Sequence, residues 1–308
     1  LSSGKHVVTA NKKMLAYHLE ELHKLQKEHN VSLLYEASAC GSIPIIRNLE
    51  EYYDNDLLSG VSGIFNGSSN YILTKIFQEG WDYTKALKTA QKLGFAETDP
   101  SLDVGGFDAK FKLVLLSYHS FGLYINPDEV LNLGIGNLSD GDINFAREKG
   151  FRIKLIASVK KIGEGKIALY VLPQLIKNDH PLYNVENEYN GVIVEAAFAC
   201  SQTFIGKGAG GHPTGSAVLS DISALQYNYQ YEYKKQQQGH TPVVSNEVSL
   251  EVYFRYHDET LLKKLNFQSI SEWHNSANYQ YVRGFVSLES LLKYSDDIAL
   301  DKAFVATT

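Results

Sequence analysis

The sequence predicts an α/β segment that passes into a mixed-sheet α+β domain and closes with a small α+β module. Three observations carry that prediction. The chain opens on strand–helix–strand alternation, the doubly wound pattern in which ligands gather at the carboxyl ends of strands. Beyond Gly122 helical and strand-like segments are interleaved, which predicts a sheet with helices on one face. After residue 242 strand-like and helical runs alternate once more, in the order β–α–β–α.

Residues 6–10 suit a short buried strand, and Asn11 suits the N-cap of a helix whose apolar positions are Met14, Leu15, Leu19, Leu22 and Leu25. A second strand over 31–35 ends in Glu36. Lys12 and Lys13 stand in the first helical turn, where positive charge opposes the helix dipole. They are either two solvated lysines or a lysine aimed at a ligand. Residues 37–43 form a small-residue loop with freely presented carbonyls, and Pro44 opens a helix at a position that tolerates a missing N–H. Glu36 and such carbonyls suit a hard cation, although most turns of this kind bind nothing.

A strand over 60–65 leads to Asn66-Gly67-Ser68-Ser69-Asn70, a polar turn before a helix over 71–77. It offers donors to an anionic group, or it is an ordinary capped turn. Asp82 starts a helix with Tyr83, Ala86, Leu87, Ala90 and Leu93 on one side, and Gly94 ends it. The stretch 94–116 is the centre of the chain. Glu97, Asp99, Asp103 and Asp108 crowd together and run straight into an apolar helix that carries Lys112. Asp108 and Lys112 are spaced i,i+4 and share a helix face. The run Leu113-Val114-Leu115-Leu116 predicts a helix buried nearly all round, with a partly desolvated ammonium that can exchange a proton. An isolated Asp-x-x-x-Lys is most simply a helix-opening acid paired with a snorkelling lysine. Three further acids and a Gly-Gly pair shift the balance towards a site.

Ser139 and Asp140 are cap candidates for a helix over 143–149, and strands are predicted over 153–159, 167–172 and 192–198. Residues 206–211 match GxGxxG ahead of a helix over 214–225, but no strand ending in an acid follows, as a dinucleotide fingerprint requires. They suit a close-approach loop instead. Tyr227, Tyr229, Tyr231 and Tyr233 suggest the end of a packed helix or an edge strand, and residues 234–241 a linker. The tail offers strands over 248–256 and 281–287, with helices over 259–264 and 288–294, and no catalytic constellation.

Composition bounds the function. A net charge of −6 on 308 residues leaves no basic footprint for nucleic acid or an anionic membrane. No apolar run is long enough to span a bilayer, and two cysteines build neither a disulfide framework nor a metal cluster. A soluble, cytoplasmic protein is the expectation.

Six separated motifs then resemble one family, in its order: HVVTANKK (6–13), EASACGSIPII (36–46), NGSSNYILT (66–74), GFAETDPSLDVGGFDAKFKL (94–113), LSDGDINFAREKGFRIKLIA (138–157) and GKGAGGHPTGSAVLSDI (206–222). The chain resembles homoserine dehydrogenase, which reduces L-aspartate 4-semialdehyde to L-homoserine with NAD(P)H in the biosynthesis of threonine and methionine. The resemblance implies Lys112 as acid/base, Asp108 as the carboxylate positioning the reacting oxygen, and Lys12 in the cleft near cofactor and substrate. It places Glu97 on the substrate amino group, with Asp103 and Ser68 also on the substrate, and Gly210 in the loop approaching the nicotinamide. It implies a monovalent-cation site (Na+ or K+) at Glu36 with carbonyls of Ala39, Gly41 and Ile43, although Cys40 stands where the family usually has Gly. The implied cofactor is NADP or NAD, and the implied assembly a homodimer or higher homo-oligomer.

The implied organisation is the carboxyl-terminal remnant of a Rossmann-type nucleotide-binding domain over 1–43, completed by a helix over 212–226. A catalytic and dimerisation domain over 44–205 and a module over 243–308, loosely ACT-like, follow. The strand and glycine loop that hold the pyrophosphate are not in the sequence, so the resemblance implies a chain starting late in that domain. Two other functions stay open: a dehydrogenase for a related semialdehyde, and a non-catalytic dimerising or amino-acid-sensing module.

Overall fold

The structure, a computed structural model, describes residues 1–54, 57–239, 241–276 and 278–308. Strands β1 (Val7–Val8) and β2 (Leu33–Leu34) run parallel, with α1 (Lys12–His29) as their crossover. Asn11 caps α1 as predicted, its side-chain oxygen accepting from the Met14 amide at 3.2 Å. Both strands are shorter than the apolar runs containing them, because they pair only with each other in a two-stranded sheet among the described residues. A 3-10 turn (Glu36–Ser38) then leads to α2 (Ile45–Arg47), which continues as a π turn (Asn48–Tyr52).

Next come β3 (Leu58–Ile64), α3 (Gly67–Glu79), α4 (Tyr83–Lys92), α5 (Ser101–Val104), α6 (Phe107–Phe121), β4 (Leu131–Asn132) and α7 (Asp140–Glu148). Strands β5 (Arg152–Gly163), β6 (Lys166–Ile176), β7 (Tyr189–Ala196) and β8 (Cys200–Lys207) follow, then α8 (Gly211–Leu225), α9 (Lys234–Gln237) and β9 (Val243–Val244). The tail holds β10 (Ser249–Tyr256), α10 (Glu259–Leu265), β11 (Ser269–Ser276), β12 (Tyr279–Ser287), α11 (Leu288–Lys293), α12 (Ser295–Leu300) and β13 (Phe304–Thr307).

One mixed sheet runs β11-β12-β10-β13-β6-β5-β3-β7-β8, with β4 and β9 both pairing with β6. Helices α3, α6 and α7 pack on its central strands. The sheet is not bare on its second face: Leu182 and Val185 from the β6–β7 connection cover Ile64, Ile156 and Ile193. That is why residues 153–159 of β5 and most of β6 are continuously buried and do not alternate. The helix predicted over 71–77 starts earlier, at Gly67, because Asn66 caps it through the Ser69 amide at 2.7 Å; the polar turn is the first helical turn. Leu93, expected on the apolar side of α4, is exposed beside the helix-ending Gly94.

Two expectations for the tyrosine-rich segment are corrected. Tyr231 and Tyr233 lie in neither helix nor strand; they thread into the core, where Tyr231 packs edge-on against Tyr35 and Tyr233 stacks on His119 and tilts over His23. The buried Glu50 carboxylate takes the Glu232 and Tyr233 amides at 3.2 and 3.1 Å, so the backbone needs no sheet to be satisfied. The expected linker over 234–241 begins instead with α9, whose Lys235 is buried; His240 lies outside the described residues.

The tail has the order β10-α10-β11-β12-α11-α12-β13, with antiparallel pairing in the sequence β11-β12-β10-β13. This βαββααβ connectivity contains two more strands than the sequence suggests. β11 (SISEWHNS) is a polar, exposed edge strand without an apolar face to announce it. The tail is welded to the central sheet: β13 pairs with β6 at Thr307 and Gln174, and Phe145 of α7 stacks on Tyr253. Asp142, fully buried, accepts from Arg255 Nε at 3.1 Å and from the Tyr253 hydroxyl at 2.6 Å, while its other oxygen closes the capping box with Ser139. Asp142→Asn removes the charge from this weld and is expected to lower stability by about 1.5–3 kcal/mol. Urea unfolding measures it; a midpoint equal to that of the parent protein would show the weld carries nothing.

Candidate active site

Gly106, at φ +82°, turns the chain from the acid-rich loop into α6. From Asp108 to Phe121 every residue of α6 is buried, as the unbroken apolar run predicts. Lys112 is 5% exposed. Its Nζ donates to the Phe65 carbonyl at 2.6 Å and to Asp108 Oδ2 at 2.8 Å. The other Asp108 oxygen is 2.8 Å from Nζ of Lys12, which reaches in from the first turn of α1 and remains part-exposed. This contact explains a lysine where the helix dipole disfavours one: the ammonium answers a buried carboxylate across the cleft.

Asn66 joins the cluster from below. Its Nδ2 donates to Asp103 Oδ1 at 2.7 Å and to Asp108 Oδ2 at 3.0 Å, while its oxygen caps α3. Sequence reasoning placed Asn66 in a polar turn but did not assign it to the site; the only sign was an N-cap residue directly after a strand. The Phe65 carbonyl left no sign at all.

The electrostatics follow from this packing. Burial works to raise the Asp108 carboxyl, but the ammonium groups of Lys112 and Lys12 outweigh it and hold the group well below the usual carboxylate range. Burial likewise works to lower Lys112, and the Asp108 carboxylate reverses that, so the amine is raised above its ordinary value. Asp103 is pushed up by burial, against the hydrogen bond from Asn66.

A cavity of about 770 Å³ opens over this cluster. Lys12, Ser68, Glu97, Asp103, Asp108 and Lys112 all line it, so the structure brings together the six residues singled out for catalysis and substrate. Ser68 is turned towards the loop, its hydroxyl donating to the Phe95 carbonyl. Glu97 is exposed at the rim. Gly208, Ala209 and Thr214 form the opposite wall. Gly210, in the loop expected to approach the nicotinamide, immediately precedes α8 at φ 112°; its neighbours Gly208 and Ala209 line the cavity and it does not. Side chains added at Gly211 or Gly215 would meet nothing within 4 Å, so the start of α8 borders open space.

The loop expected to hold a cation lies beneath. Gly41, at φ +59°, packs so tightly on the glycine loop that a Cβ would sit 2.5 Å from the Lys207 carbonyl. The Ser42 amide donates to that same carbonyl at 3.0 Å. Glu36 is buried, and its two carboxylate oxygens accept from the Ile46 and Arg47 amides at 2.8 and 2.9 Å. Burial pushes this carboxyl up to about 7. The Ile43 carbonyl is taken by the Ile45 amide at 2.8 Å. With its side chain acting as a helix cap, Glu36 leaves carbonyl oxygens as the donors this loop offers a hard monovalent cation. Cys40 is buried beside it, its thiol pushed up to about 12 by burial and inert as a nucleophile.

With this geometry in view, comparison with known proteins gives a consistent result. A family model described as homoserine dehydrogenase matches residues 44–223. The chain is 40% identical over 222 residues to homoserine dehydrogenase of Lactococcus lactis subsp. lactis, covering 72% of this chain and 52% of that protein. It is 42% identical over 228 residues to the Bacillus subtilis enzyme, covering 74% and 52%. The chain thus spans about half the length of the curated relatives it matches. Among solved structures, a homoserine dehydrogenase from Thiobacillus denitrificans superposes with a TM-score of 0.81 at 28% identity, covering 98% of this chain and 76% of that one. A hyperthermophilic archaeal homoserine dehydrogenase, described as in complex with NADPH, superposes with a TM-score of 0.63 at 32% identity, covering 73% and 65%.

Proposed function

This chain belongs to the homoserine dehydrogenase family, and on that premise we propose that it carries out NAD(P)H-dependent reduction of L-aspartate 4-semialdehyde to L-homoserine in aspartate-family amino-acid biosynthesis. The observation that carries the reading is the Lys112 ammonium, buried at the floor of the cleft and held by Asp108 and the Phe65 carbonyl. An ammonium has three N–H donors, and two are occupied here, so one is left for a substrate oxygen. Lys12, bonded once to Asp108, offers further N–H groups from the other side.

The bound nicotinamide, NADP or NAD, would supply the hydride. The chain's own part is to hold the aldehyde oxygen against Lys112, where negative charge grows as the carbonyl is reduced. A positive group fixed there in advance stabilises that charge without reorganising. Lys112 then passes its proton to the oxygen. Asp108 keeps the amine protonated and aimed, and Asn66 keeps Asp108 aimed. Glu97 at the rim would meet the substrate's α-ammonium, with Asp103 and Ser68 along the same wall. Residues 206–214 would border the nicotinamide half of the cofactor. The carbonyls of residues 36–43 would hold a sodium or potassium ion, whose role would be to fix that loop against the glycine loop. A homodimer or higher homo-oligomer and a cytoplasmic location belong to the same proposal. No helix among the described residues is long and apolar enough to cross a membrane.

The non-catalytic alternative gains nothing from this arrangement, because a scaffold has no use for two ammonium groups converging on one carboxylate in an open cleft. The test is semialdehyde-dependent oxidation of NADPH or NADH, followed by nicotinamide absorbance in the full-length protein. A saturable rate supports the reading; its absence, with cofactor bound, rejects it. Glu97→Gln is expected to raise KM about tenfold with kcat nearly unchanged, the loss of one charged hydrogen bond. An unchanged KM would remove Glu97 from the substrate.

A further inference from the structure

A second cavity, of about 530 Å³, lies on the far side of the acid loop. Its walls come from three places: the short helix α5 and the turn into α6, the loop after β4, and the α12–β13 corner of the tail. Val104, Phe107, Leu133, Ile298 and Val305 give it an apolar body. Asp296 is the charged residue of the lining, exposed and carrying no hydrogen bond or ion pair among the described residues. No lysine, arginine or histidine is among the described lining residues. The size and make-up, a mostly apolar cavity with one charge and a few amide groups, are those of a small-molecule site.

The wall it shares with the Lys112 cleft is one helical turn thick. Asp103 of α5 lines one cavity and Val104 the other. That turn is clasped from behind: the Ile135 amide donates to the Val104 carbonyl at 2.7 Å, and Asn132 Nδ2 donates to the Gly105 carbonyl at 2.8 Å. The clasp is itself tied to the tail. Arg255 Nη2 donates to the Asn137 carbonyl at 2.6 Å, and Asn137 Nδ2 donates to the Ala303 carbonyl at 3.2 Å. Whatever enters between α5 and the tail must press on this clasp. On the other side, Asn66 joins Asp103 to Asp108.

We propose that this cavity is a second binding site, taking a compact molecule with an apolar body and an ammonium group set against Asp296, and that its occupancy is felt at Asp103 through α5. The charge is argued from complementarity: a single lining carboxylate, with no cation among the described lining residues, favours a cation over an anion. The proposal does not rest on the reaction assigned to the Lys112 cleft.

The test is an amide NMR titration of the full chain with 3-methylbutylamine, with 3-methylbutanoate as the charge-reversed control. Saturable shifts are expected at Gly105, Leu133, Gly134 and Ile298 with the amine, and none with the acid. The side-chain amide of Asn66 is expected to move in step with them. Asp296→Asn is expected to weaken the amine about fivefold, the reach of one solvent-exposed ion pair. Ala299→Phe, which fills the cavity from an exposed helix position, is expected to abolish the shifts with the fold's other resonances in place. No shifts with the amine, equal shifts with the acid, or indifference to Asp296→Asn would overturn the site. Shifts that stop short of Asn66 would overturn its coupling to the cleft. Neither readout needs turnover, so failure of the site and failure of the proposed reaction are separable.

Discussion

Replacing Lys112 with methionine is expected to lower kcat for semialdehyde reduction by about 10²–10⁴-fold, the usual contribution of a positioned acid in the transition state, while cofactor binding survives. Methionine keeps the length and apolar stem of the side chain in a helix that is buried on every face. The Asp108 carboxylate would still have Lys12 and the Asn66 amide as partners, so the variant is expected to fold. The loss therefore falls on chemistry and not on the scaffold. The pH profile sharpens the assignment. Because Asp108 raises the Lys112 amine, the ammonium persists through neutral and mildly alkaline pH, which suits proton donation in the reducing direction. Oxidation of the alcohol needs the amine neutral, so its rate is expected to climb as pH rises towards that raised value. In Lys112→Met the climb should vanish. Steady-state kinetics in both directions measure this; near-parental turnover, or an unchanged climb, would remove Lys112 from the reaction.

Asp108→Ala is expected to cost about 3–5 kcal/mol of stability as well as activity, because it leaves a buried ammonium with no counter-charge. Lys112 would retain only the Phe65 carbonyl, and Lys12 would swing to solvent. The pH dependence has a definite sign. The folded Asp108 carboxyl is held well below its unfolded value of about 3.9. Its contribution is therefore fully present above about pH 4 and is lost as pH falls through the folded value. The deficit of the variant against the parent should accordingly be constant near neutrality and shrink in acid. Denaturant melts at a series of pH values test this, and a deficit that grew in acid would contradict the pairing. Asp108→Asn should recover part of the stability, since the amide oxygen can still accept from Lys112.

Much of the site was legible from residue types in order. The Asp108–Lys112 spacing, four acids in a glycine-ended loop and an apolar run after the lysine state a local conflict, charge inside a greasy helix, that only a partner can resolve. Caps were equally legible: Asn11, Asp82 and Ser139 each accept the backbone amide that helix geometry leaves unpaired. What failed were segments whose burial depends on distant chain. Tyr231 and Tyr233 suggest a packed helix end or an edge strand, because they alternate with polar residues, yet Glu50 and His119, far away in sequence, make a polar core for them outside any helix or strand. β11 looks like loop because an edge strand exposed on both faces carries no alternation.

The sequence alone determined that Lys112, Asp108 and the neighbouring acids form one candidate cluster and that a βαβ crossover, a buried lysine helix and a mixed sheet would be present, because periodicity and capping act over a few residues. Only the tertiary structure decided that Lys12 and Asn66 converge on one carboxylate and that the Glu36 carboxylate is spent on a helix cap. It alone decided that the tail's strands are continuous with the central sheet. These are contacts between residues tens to hundreds of positions apart, and whether a donor meets an acceptor at that separation is settled by how the elements pack, which no local spacing encodes.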